Sequence, residues 1–118
     1  MMNERDSMRL AAIAAANPTD KVLARAAEEF AEAAAAILQY RRVLYGDSRY
    51  AFESLPARFT NMASELADAG IMTDQLKLIF KSLAKKIDEE RERKITRTIE
   101  RYGINEHIVQ EAADGTDA

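Results

Sequence analysis

Apolar residues recur four and three positions apart through two long stretches of this chain, and a carboxylate fills one of those positions. The first stretch is Ala26, Phe30, Ala33, Ile37, Tyr40 and Leu44; the second is Glu65, Ala69, Met72, Leu76, Ile79 and Leu83. This spacing puts each set on one face of an α-helix. No stretch alternates convincingly with period two, so strands find no support. The residues between the seams are mostly alanine, glutamate, leucine, lysine and arginine, all good helix formers. Four glycines and two prolines in 118 residues leave few places to break a helix. The chain reads as all-α, a single domain over residues 1–118 with its core at about 18–103.

Punctuation gives the helix limits. A short first helix is expected from about Glu4 to Ala15. Asn17-Pro18 reads as an N-cap followed by proline at the first helical position, with Asp20 in the first turn. The second helix then runs to about Tyr45, where Gly46 stops it. Residues 46–56 form a polar loop carrying Tyr50 and Phe52. A third helix is expected from near Pro56 to about Lys81, and a fourth, highly charged one from Ser82 to Tyr102, ended by Gly103. Residues 104–118 are expected to be a C-terminal tail, frayed from Asp114 onward.

Composition excludes several functions. The chain has no cysteine, which rules out disulfides and thiolate sites and points to a reducing compartment. No run of about 18 apolar residues exists, so no membrane span is expected. The apolar run Leu10 to Ala16 is short and alanine-rich, and is not read as a signal peptide; a cytoplasmic location is expected. Lysine and arginine total 17 against 20 acidic residues, a formal charge of −3. That balance argues against nucleic acid as a partner. No Walker-type glycine loop, H-E-x-x-H or cysteine nucleophile is present.

The carboxylates carry the chemistry. The second helix contains Glu28-Glu29-Phe30-Ala31-Glu32 and the third Glu65-Leu66-Ala67-Asp68. Glu29 and Glu32, like Glu65 and Asp68, lie three residues apart and so neighbour each other on one helix face. Glu65 occupies a seam position, and Glu29 sits on the shoulder of the other seam. If the helices pack antiparallel, all four face one cleft, where like charges repel. Such a cluster needs a cation, protonation or a basic partner. Oxygen donors without cysteine or histidine suit Mg²⁺, or Mn²⁺ in its place, and Mg²⁺ commonly pairs carboxylates with substrate phosphates. The alternative is an ordinary solvated face, with Arg25 four residues before Glu29 offering a salt bridge.

The order E-E-x-x-E followed by E-x-x-D resembles the signature of the MazG-like all-α nucleoside triphosphate pyrophosphohydrolases. The likeness extends through Ala27 to Glu32, through Glu65 to Phe80, and through Lys94, Ile95, Thr96, Arg97 and Arg101. It covers most of residues 20–103. The resemblance implies a four-helix module, assembled as a dimer or tetramer, that hydrolyses a nucleoside triphosphate to monophosphate and pyrophosphate with Mg²⁺. It implies Glu29, Glu32, Glu65 and Asp68 as metal ligands, Glu29 and Glu32 as the catalytic pair, and Lys94 and Arg97 as substrate-binding. Two departures stand out. Ser64 occupies the place where many members carry a further glutamate, which bears on the number of metals. The segment between the acidic pairs is long, which bears on the base pocket.

Other residues have plainer readings. Lys94, Arg97 and Arg101 share one helix face, but Asp88, Glu89, Glu90, Glu92 and Glu100 make that helix a candidate for simple surface ion pairing. His107 is expected on the surface. Tyr45, Tyr50 and Phe52 are expected to pack rather than stack on a base, and Met62 and Met72 to fill the core. Two alternatives to a general triphosphate enzyme stand beside it. One is an enzyme specific for dUTP, dCTP or phosphoribosyl-ATP. The other is a non-catalytic helical interaction module, which gains nothing from a carboxylate at Glu65.

Overall fold

The computed structural model describes residues 3–46, 48–50 and 52–115. All the regular structure among them is helical: α1 (Glu4–Ala16), α2 (Thr19–Leu44), a 3₁₀ turn (Ser48–Tyr50), α3 (Leu55–Ile79), α4 (Leu83–Arg101) and α5 (Glu106–Asp114). The chain packs as two compact units, Met1–Lys81 and Ser82–Ala118. Among the described residues no helix is long and apolar enough to cross a membrane.

The first unit is α1, α2 and α3. Contacts between α2 and α3 run in opposite senses along the two helices. The Tyr40 ring meets the Phe59 ring edge-on with centroids 5.6 Å apart, and Arg58 Nη1 donates to Gln39 Oε1 at 3.0 Å. Further along, Glu29 approaches Glu65 and Asp68, and Val22 and Ala26 form the core with Met72, Leu76 and Ile79. Numbers fall on α2 as they rise on α3, so the helices are antiparallel, as their cleft requires. α1 lies against α3.

The inward face of α2 is not the seam expected from its largest apolar residues. Val22, Ala26, Ala33 and Ala36 are buried, whereas Phe30, Ile37 and Leu44 are 43–51% exposed. The buried set is also spaced four and three apart once Glu29 is counted between Ala26 and Ala33. Glu29 therefore stands in the seam itself and not on its shoulder. Alanine at the contact lets two helices approach closely, and Ala69 does the same from α3. The largest buried side chain in the core cluster is Met72, 3% exposed, with Leu76 and Ile79 packed against the cluster. Burying a side chain of that size stabilises by roughly 1.5–3 kcal/mol. Met62 is only half-buried.

The ends of α2 and α3 show where local chemistry decides. Asn17 does not cap α2. Its amide donates to the Ile13 carbonyl at 2.8 Å, satisfying a free acceptor at the end of α1. Pro18 takes the N-cap position of α2, with no side-chain hydrogen bond. Gly46 follows α2 with φ +69°, and its N–H donates to the Val43 carbonyl. That left-handed conformation is why glycine ends the helix there. Ser54 caps α3 by accepting from the Ala57 N–H, with Pro56 in the first turn. Arg58 forms a bidentate ion pair with Glu53, with contacts of 3.0 and 2.8 Å, which pins the start of α3 to the preceding loop and to Gln39. In that loop Tyr50 is half-buried, with the Arg42 guanidinium 4.7 Å from its ring centroid, while Phe52 is exposed. Asp47 and Ala51 of the loop lie outside the described residues.

The second unit holds α4 and α5. α4 ends at Gly103, whose φ of +63° allows the Gly103 N–H to reach the Glu100 carbonyl and the Ile104 N–H to reach the Ile99 carbonyl. The expected tail contains a helix. Asn105 accepts from the Ile108 N–H at 2.9 Å, and Glu106 sits in the first turn of α5, favourable at a helix N-terminus. Residues 116–118 of that expected tail lie outside the described residues. His107 is exposed, with Nε2 3.0 Å from a Glu111 carboxylate oxygen.

Candidate metal centre

Three carboxylates meet between α2 and α3. One oxygen from each of Glu29, Glu65 and Asp68 lies within 4.8 Å of the other two. The convergence follows from the packing just described. Glu29 sits between Ala26 and Ala33 on the inward face of α2. Glu65 sits one turn before Ala69 on the inward face of α3, and Asp68 stands beside it. Small residues on either side hold the backbones close, so these side chains extend into the same space. Glu29 and Glu65 are half-buried and Asp68 is exposed.

The electrostatics of this cluster are unfavourable as it stands. The Oε2 atoms of Glu29 and of Glu65 are buried without a hydrogen-bond partner. Burial pushes the Glu29 carboxyl above its ordinary pKa; the charges of Glu32 and then Asp68 push it further, and Arg25 opposes them. Among the described residues Arg25 forms no ion pair with Glu29, so the salt-bridged surface reading of Glu29 finds no contact here. The fourth carboxylate, Glu32, is exposed and stands one turn along α2 from Glu29. It acts on Glu29 electrostatically but is not one of the three converging groups.

Two buried, unpartnered carboxylate oxygens fit a hard cation well. Mg²⁺ binds oxygens at about 2.0–2.1 Å, so its ligand atoms lie roughly 3–4 Å apart. Side-chain adjustments of about 1 Å would bring the three oxygens to that spacing. The donor set contains no nitrogen or sulfur, as Mg²⁺ or Mn²⁺ prefers.

A cleft of about 570 Å³ opens beside the cluster, walled by all three helices of the first unit. It carries Glu28, Glu29 and Asp68, the cations Lys21 and Arg25, and an apolar wall that includes Ile13, Val22, Ile71 and Met72. Gln75 also lines it and is 6% exposed. Lys21, Arg25 and Gln75 were not expected as site residues. Their signal was positional: Lys21, Arg25 and Glu28 are spaced four and three apart on α2, and Gln75 follows Asp68 by two turns of α3. Lys94 and Arg97 belong to α4 in the second unit, where both are exposed. There a hydrogen bond from Arg93 and the Arg93 charge hold the Glu90 carboxyl below its ordinary range, with Lys94 and Arg97 adding to the effect.

Comparison of the chain with protein-family models, with curated proteins and with solved structures returned no match.

The raised pKa has a pH consequence with a definite sign. Between the ordinary glutamate value and the raised one, the folded chain holds a proton that the unfolded chain has released. Stability without metal therefore falls as pH rises through that window and is regained on acidification. Glu65→Gln removes one of the unpartnered charges. Melted without divalent ions, the wild type should gain stability as the pH is lowered through that window. The variant should melt at least as high as the wild type at neutral pH. A Glu65→Gln protein several degrees less stable at neutral pH would show that Glu65 is held by favourable contacts instead.

Proposed function

We propose that this chain is a Mg²⁺-dependent nucleoside triphosphate pyrophosphohydrolase of the MazG-like kind. The observation that carries the reading is the meeting of Glu29, Glu65 and Asp68 with two buried carboxylate oxygens left unpartnered. The order of the acidic motifs along the sequence supports it independently. When bound, Mg²⁺ supplies Lewis-acid polarisation of phosphate oxygens and water.

The chain's own residues divide the remaining work. Glu29, Glu65 and Asp68 hold the cation between α2 and α3. Glu32, outside that triad but close to it, is the carboxylate left to take a proton from the attacking water. Water attacks the α-phosphorus, the bond to the bridging oxygen of the β-phosphate breaks, and pyrophosphate leaves with the monophosphate as the other product. Lys21 and Arg25 bring positive charge to the cleft beside the carboxylates. Lys94 and Arg97, on α4 of the second unit, keep the substrate-binding role that the resemblance implies for them.

The unit is also proposed to pair with further copies, as a dimer or tetramer. Phe30, Ile37, Leu38 and Leu66 are each 43–53% exposed on α2 and α3, apolar surface that another copy would cover. Sedimentation at micromolar concentration should give at least twice the mass of 13.2 kDa, and a stable monomer would contradict this assembly.

Incubation with each common ribo- and deoxyribonucleoside triphosphate and Mg²⁺ should yield monophosphate and pyrophosphate for at least one of them. Glu29→Gln and Glu32→Gln should each lower kcat by about a hundredfold or more, the usual scale for losing one acid–base group. Diphosphate and orthophosphate as products would overturn the assigned bond, and unchanged turnover in Glu29→Gln would overturn the site.

A further inference from the structure

Among the described residues of the first unit, Gln75 is the one polar side chain in the buried set, 6% exposed. Its side-chain amide forms no hydrogen bond with any described residue, yet it lines the cleft. Neither amide atom is among the fully buried, unpartnered ones, so the amide opens on the cleft with its hydrogen bonds free for what enters. An apolar residue of similar length, like Met72 one turn earlier, would fill this place in the helix but offer the cleft no hydrogen bond. The surroundings describe what the cleft offers beside the amide. Ile71, Met72, Val22 and Ile13 provide apolar contact beside the charged residues of the same cleft, and such contact suits a ring. Asp68 and Gln75 are seven residues apart on α3, about 10 Å along the axis, which is room for a sugar between a phosphate at the carboxylates and a ring at the amide.

We propose that Gln75 recognises the edge of a nucleobase and is the specificity-determining residue of the cleft. The inference rests on the nucleotide reading given above. A glutamine amide offers an acceptor, Oε1, and a donor, Nε2, side by side, and meets a base edge that presents the complementary pair. The apolar wall holds the ring and the amide selects among rings. A site built this way rejects a ligand that leaves its buried amide unpaired.

Two measurements test this and separate it from the hydrolase reading. In the first, the Gln75 side-chain amide resonance, assigned by its absence from Gln75→Leu, is followed while plain nucleosides are added to the full chain at millimolar concentration. At least one nucleoside should shift it saturably. In the second, Gln75→Leu is compared with the wild type on the panel of triphosphates. Its kcat/KM for the preferred nucleotide should fall about tenfold or more, chiefly through KM, and the ratios between bases should flatten. Its thermal melt should stay close to that of the wild type, because the amide makes no hydrogen bond with any described residue. No shift with any nucleoside, together with an unchanged base preference in Gln75→Leu, would overturn the assignment. A nucleoside-induced shift in a protein that turns over no triphosphate would sustain the base site and remove the hydrolase reading instead.

Discussion

The packing of the first unit depends on carboxylates standing where two helices touch. Glu29 and Glu65 occupy inward positions of α2 and α3, and Asp68 joins them from the adjacent position on α3. The alanines around them bring the backbones close, and closeness is what makes the arrangement both expensive and useful. Charges of one sign in a partly dry space repel, burial raises the pKa of Glu29, and two oxygens lack partners. Little in the core offsets this. Its buried side chains are mostly alanine, with Val22, Leu10 and Met72 the larger contributors. A unit built this way gains from any cation that binds its folded form and not its unfolded chain.

The same economy of core explains the surface. The large apolar residues of α2 and α3 lie beside the contact rather than in it, because a close alanine-lined approach has no room for Phe30 or Ile37. They are left at the periphery, where another copy of the unit can cover them. The cleft is shaped by the same packing. α1 and the flanks of α2 and α3 wall it, placing apolar side chains next to charged ones, with Gln75 among the lining residues.

Much of this was legible in the sequence. The four-and-three spacing identified the long helices, and Glu65 stood out because a carboxylate replaced an apolar residue in an otherwise regular seam. Gly46 and Gly103 marked helix ends because both need a left-handed backbone. What was misread has identifiable causes. The seam of α2 was placed through Phe30 and Ile37 because hydrophobicity ranks them above alanine, whereas close helix packing favours the smaller residue. That error moved Glu29 to the shoulder. Asn17 can cap either helix beside it, and only the free Ile13 carbonyl decides which. Asn105 and Glu106 carry an N-cap signal for α5, but its few apolar residues make so weak a pattern that the segment reads as tail. Gln75 bore no signal of its own: an amide on a helix becomes informative only when its burial and its neighbours are known.

Calorimetric titration of the metal-free protein with Mn²⁺ tests the central claim most directly, since it asks of the carboxylates only whether they hold a cation together. The expected result is saturable binding in the wild type that is lost in both Glu29→Gln and Glu65→Gln, residues contributed by different helices. Binding that survives in both variants, or no saturable binding in the wild type at millimolar Mn²⁺, would contradict a metal centre shared between α2 and α3.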